Sequence, residues 1–140
     1  TEISEETHDG FQDIVLGMTD GHGHLGNERL LVRVLMAENS GQPAQPFIRD
    51  YAQANAFGQA LRMKKLVVPA DTRCPSFKVL IYPFQAGQAL PATRWSGQQT
   101  QLTVNFPGQT DEVTFHAAPD GRTTVGLVRD GKTVFTLPEP

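Results

Sequence analysis

The chain has 140 residues, enough for one domain that buries about two thirds of its unfolded surface without covalent staples. Charged residues make up 19% and the net charge is −3, with twelve basic residues scattered along the chain, so there is no electrostatic footprint for nucleic acid. No apolar run approaches the roughly 20 residues of a membrane-spanning helix, and the single cysteine, Cys74, excludes an intrachain disulfide framework.

Thirteen glycines and ten prolines favour short strands joined by turns. Thr1–Gly10 is polar and acidic and reads as a loop, and Phe11–Met18 reads as a strand. Thr19–Asn27 carries three glycines in nine residues and reads as a second loop. In Glu28–Glu38 the alternation of Leu30, Val32, Val34 and Met36 favours strand over helix. Arg33 falls in mid-strand among apolar residues, which calls for an acid partner such as Glu28 or Asp13.

Asn39–Pro46 is a turn region. Near residues 47–58 the weak spacing of Ile48, Tyr51 and Ala52 predicts one short helix or an irregular excursion, ended by Gly58. Leu61–Pro69 and Phe77–Tyr82 read as strands, and Pro83 either ends the second or places it at a sheet edge. Gln101–Phe106, Asp111–His116 and Arg122–Arg129 follow as short strands. Asp130-Gly131 predicts a type I′ hairpin, since both of its central positions need positive φ. A two-residue loop there pairs Arg129 with Lys132, Leu127 with Val134 and Gly126 with Phe135. The expected fold is all-β, an antiparallel β-sandwich of short strands forming a single domain over residues 1–140. Because the sequence starts at Thr1 without a signal-like segment, it reads as a piece processed or excised from a longer chain.

Two sets of residues carry candidate chemistry. His22 and His24, two apart in the Gly-rich loop and preceded by Asp20, have the residue types of a metal site; His8 and His116 are the remaining histidines. Trp95, Arg94 and Tyr51 form a carbohydrate-binding set, with rings to stack on a sugar face and a guanidinium for a carboxylate or sulfate. Tyr82 sits in an apolar strand and reads as core, and Cys74 has no neighbouring base to make it a nucleophile. No Walker, HExxH, GxSxG or CxxC pattern occurs.

Several strand-and-turn words resemble the carboxy-terminal β region of heparinase II/III-like polysaccharide lyases. They are Arg29–Leu35 (RLLVRVL), Phe77–Trp95 (FKVLIYPFQAGQALPATRW), Thr110–Phe115 (TDEVTF) and Asp120–Lys132 (DGRTTVGLVRDGK). None is a catalytic signature. The resemblance implies a non-catalytic carboxy-terminal β-sandwich that packs on a catalytic α/α toroid and supports binding of an acidic polysaccharide. It also implies an extracellular or periplasmic setting and carries no catalytic residue over to this chain; the charge and hydropathy patterns lead to the expectation of no nucleic-acid or membrane partner. The alternatives are an independent carbohydrate-binding module, and a small metal-dependent enzyme using His22 and His24.

Overall fold

The computed structural model describes residues 2–8, 11–19, 22, 24–35, 38–39, 42–43, 46–54, 57–58, 60–69, 77–96, 100–117 and 122–137. Among them no helix occurs and every strand pairing is antiparallel, the all-β architecture from which a β-sandwich is built. The chain, expected as one domain over residues 1–140, divides into two compact units, Thr1–Ala86 and Gly87–Pro140.

The first unit contains a four-stranded sheet in the order β1 (Glu2–His8), β2 (Phe11–Thr19), β3 (Leu25–Leu35) and β8 (Lys78–Gln85). Two hairpin ladders accompany it: β4 (Glu38–Asn39) with β5 (Gln42–Pro43), and β6 (Phe47–Ala54) with β7 (Ala60–Val67). Strand β1 corrects the expectation of a loop over Thr1–Gly10: Ile3 pairs with Leu16 and His8 with Phe11. Its acidic character suits a sheet edge, where charge discourages further pairing. Strand β6 likewise corrects the short helix expected near residues 47–58. Residues 47–54 pair continuously with 60–67, so the ladder satisfies backbone groups that weak helical spacing could not hold in a helix.

Strand β3 lies inside the sheet, and its buried residues are concentrated toward its carboxy-terminal end. Val34 on one face and Leu31, Arg33 and Leu35 on the other are all buried, as is Ile14 of β2. Burial of each large aliphatic side chain stabilises the fold by about 1.5–3 kcal/mol. Gln12 is also buried, and its side-chain amide donates to the Pro46 carbonyl at 3.4 Å.

Pro83 stays within β8, opposite Leu30. The Ala86 N–H donates to the Asn27 carbonyl at 2.9 Å, which makes every second pair back along the ladder a hydrogen-bonded one. By that count Pro83 occupies a non-hydrogen-bonded pair, and its missing N–H faces the free edge. The edge alternative in the sequence reading therefore holds, and the proline blocks further strand addition there.

The second unit is a five-stranded meander in the order β13 (Lys132–Leu137), β12 (Thr123–Arg129), β11 (Gln109–Ala117), β10 (Gln101–Phe106) and β9 (Ala92–Ser96). Period-two alternation gives a mainly apolar face, which also carries Thr93 and the Asp111–Arg129 pair, and a mainly polar face, which also carries Val128. Trp95, Leu102, Val104, Val113, Phe115, Val125, Leu127 and Phe135 share one face, and Arg94, Thr103, Glu112, Thr114, His116, Thr124 and Thr136 share the other. Leu102 and Val104 are buried at the centre of the apolar side.

Pro107-Gly108 makes the β10–β11 turn, with φ of 81° at Gly108 as a type II turn requires. Asp130 and Gly131 have φ of 47° and 76°, the type I′ geometry expected from Asp-Gly. The register beyond that turn differs from expectation. Arg129 faces Lys132, but a bulge at Val134 moves Leu127 opposite Phe135 and Gly126 opposite Thr136. The Thr114 hydroxyl lies 2.7 Å from where a Cβ on Gly126 would stand, so the glycine is covered by its other neighbour and no ring lies over it.

Candidate functional site

The structure separates the residues singled out by sequence. His22 and His24 stand exposed in the β2–β3 connection, their ring centroids 6.3 Å apart and their planes tilted by 44°. Asp20, the proposed third member, lies outside the described residues. Among the described residues no group of three or more His, Cys, Asp or Glu is placed to hold a metal ion. His8 faces Asp13 from β1, and His116 is exposed on β11 in the second unit.

Trp95 and Arg94 are neighbours on β9 and so point to opposite faces of the sheet. Trp95 packs toward Phe115, with centroids 5.9 Å apart at 46°. Arg94 is exposed on the polar side, opposite Thr103. The two do not form one sugar-binding surface. Tyr82 and Phe84 lie half-buried two residues apart on β8, with parallel rings 6.2 Å between centroids.

Tyr51 is the member of the carbohydrate set that the structure places in a chemically organised surface. Strand pairing sets Phe47 opposite Val67 and Arg49 opposite Lys65 on the face that Tyr51 shares. Phe47 and Tyr51 are 45% and 40% exposed, and Arg49 and Lys65 are exposed between them. The Lys65 ammonium stands 3.7 Å from the centre of the Tyr51 ring, a cation–π contact that orients both groups. Asp50, the only acid between Pro46 and Pro69, is on the opposite face, bonded to Lys64 at 2.9 Å.

Sequence did not single out Phe47 and Arg49 because the segment near residues 47–58 has weak helical spacing, and Lys65, in the expected strand Leu61–Pro69, gains its neighbours only through pairing with β6. Read with period two, Phe-x-Arg-x-Tyr puts aromatic, cation and aromatic in one row.

Two bidentate arginine–aspartate pairs organise the charge elsewhere. In the first unit Arg33 donates to both carboxylate oxygens of Asp13, at 2.6 and 2.7 Å, with both side chains at least 95% buried. The guanidinium lies 4.2 Å from the centre of the Phe11 ring, and His8 stacks on that ring at 4.5 Å. The acid partner that Arg33 requires is therefore Asp13. In the second unit Arg129 donates to Asp111 twice at 2.9 Å, and Gln109 adds a third bond at 2.9 Å. Hydrogen bonding from Arg129 holds the Asp111 carboxyl below the usual range, against the opposing effect of burial; the charge of Arg129 and the Gln109 bond add to the lowering. The same bond raises the Arg129 guanidinium. These pairs are structural ties within single sheets. No family model, curated protein or solved structure matches the chain.

Proposed function

We propose that the chain is a non-catalytic β module that docks on a partner domain, which its resemblance identifies as the catalytic toroid of a heparinase II/III-like polysaccharide lyase. The observation supporting this reading is the apolar strip along β8. Val79 and Ile81 are 43% and 63% exposed, Pro83 is exposed beside them, and Phe77 just before the strand is 42% exposed. On the same face of the sheet Val32 and Leu30 continue the row. Contiguous apolar surface of this kind marks a place where another surface belongs. The outward-facing Pro83 keeps such a contact from being strand addition, so side chains carry it. In this reading the module works outside the cytoplasm, where the polymer is.

Co-purification with the catalytic domain of such a lyase tests the docking. Co-elution is expected for the unaltered chain and not for the Val79→Asp, Ile81→Asp double variant, provided its melting temperature is unchanged. Equal co-elution of both would overturn the reading. The isolated chain is expected to give no rise in ultraviolet absorbance from unsaturated sugars when incubated with uronate polymers.

A further inference from the structure

Among the described residues, the two larger sheets end on four edge strands, β1, β8, β9 and β13. Three of them carry devices that discourage a further strand. β1 exposes Glu5 and Glu6, β8 turns Pro83 to its free edge, and β9 is only five residues long with exposed Arg94 at its centre. The fourth, β13, has Lys132 as its one charge, placed at the turn end, and from Thr133 to Leu137 carries neither charge nor proline. It is also where the apolar face of its sheet is least covered. Leu102 and Val104 on β10 are buried, whereas Phe135 and Leu137 on β13 are 40% and 54% exposed.

The ladder shows which backbone groups of β13 are open. The Asp130 N–H donates to the Thr110 carbonyl at 2.9 Å, so Asp111 and Arg129 form a non-hydrogen-bonded pair and the backbone of Arg129 points to β13. By alternation Leu127 also bonds toward β13, and Gly126 toward β11. Thr136, opposite Gly126, therefore presents its N–H and C=O to the free edge. The bulge at Val134 lies on the turn side of Phe135, so Phe135–Leu137 keep regular ladder geometry.

From this geometry we infer that β13 is a self-association edge, which adds the β13 of a second copy of this chain antiparallel to itself about a two-fold axis at Thr136. In that register the two Thr136 residues exchange both backbone bonds, and each Phe135 stands opposite the other copy's Leu137. The sequence of the strand selects the occupant, because Phe135-Thr136-Leu137 is complementary to its own reverse. Both apolar pairs fall on the face that already carries Val125 and Leu127, so the addition continues an existing apolar surface. Charge fixes the direction. Antiparallel pairing sets the two Lys132 residues roughly 25 Å apart, well beyond the Debye length of about 8 Å, whereas parallel pairing would bring them together. The paired segment is short, which places the contact among the weak, reversible interfaces. It belongs to the second unit, whereas the strip on β8 belongs to the first.

Sedimentation equilibrium over roughly 10 µM to 1 mM chain tests the inference, with amide hydrogen exchange read on the same samples. A monomer–dimer equilibrium is expected, with a dissociation constant on the order of 100 µM, and exchange of the Thr136 amide should slow as concentration rises. Thr136→Pro removes the outward N–H without touching a bond to β12, and Leu137→Lys places a charge against the other copy's Phe135. Each should weaken dimerisation roughly tenfold or more, with a melting temperature close to the parent's. The Val79→Asp, Ile81→Asp double variant should dimerise like the parent, which separates this edge from docking through β8. A chain monomeric throughout the series, a dimer equally stable in both β13 variants, loss of the dimer in the β8 variant, or a Thr136 amide indifferent to concentration would each overturn the assignment.

Discussion

Each unit ties a sheet together with a fork of arginine nitrogens on an aspartate, and the two ties differ chiefly in exposure. Asp13 and Arg33 have 3% and 5% of their side-chain surface exposed. Asp111 has 10% exposed, but its partner Arg129 has 46%, close to the Asp130-Gly131 turn. The bond lengths are similar, so geometry does not separate the pairs; solvent does. Charges removed from water depend strongly on their partners, whereas a guanidinium at a hairpin tip exchanges its carboxylate for water at little cost. The same hydrogen-bond pattern is therefore a structural necessity in one unit and a minor contribution in the other.

Breaking the buried pair should have the largest effect. Asp13→Ala removes the bidentate carboxylate partner of the buried Arg33 guanidinium and is expected to cost about 3–5 kcal/mol, read from urea denaturation. Replacing both partners at once, Asp13→Leu with Arg33→Met, should recover most of that loss because no buried charge remains. If the double variant were as unstable as the single one, the contacts of Arg33 with Phe11, and not the charge, would be the important part.

A packing change in the second unit ranks next. Gly126→Ala places a methyl group 2.7 Å from the Thr114 hydroxyl, and the stiff β-branched side chain must rotate to accommodate it. The expected destabilisation is about 1–3 kcal/mol. Thr114→Ala in the same chain should relieve most of it, and a thermal-melt cycle of the four variants checks the coupling. That result would show the second sheet to be limited by close approach and not by its ion pair.

The smallest effect belongs to Asp111→Asn, and its signature is in pH dependence. The folded-state pKa of Asp111 is depressed, so its contribution to stability is fully present above the unfolded value of about 3.8. It is lost as pH falls through the folded value. The parent chain should therefore lose stability relative to Asp111→Asn on acidification below about pH 4, and the difference should shrink at high salt. A gap between the two that is the same at neutral and acidic pH would contradict the assigned cause.

How much of this was legible beforehand follows the burial of each segment. The alternation in Gln101–Phe106 identified its strand because a buried face imposes a period of two, whereas in β3 the alternating Leu30 and Val32 are half-buried and the more buried face carries Leu31, Arg33 and Leu35. Arg33 in an apolar run announced a partner, and Asp13 supplied it. Strand β1 was hidden because its residues are mostly exposed and acidic, which carries no burial period. The row on β6 was hidden for a related reason: its apolar members are exposed rings, which do not signal a core. Trp95 and Arg94 were grouped by adjacency, although adjacent residues of a strand face opposite ways.

By itself the sequence determined the all-β class, most interior strands, the Asp130-Gly131 turn and the need for a charge partner at Arg33, because each depends on local backbone preference or on a buried period. Tertiary pairing alone decided that residues 47–54 are a strand, that Val134 is bulged, and that Arg49 stands opposite Lys65 between two exposed rings. Those features depend on which strand lies alongside, and a cross-strand neighbour leaves no mark at fixed spacing in the chain.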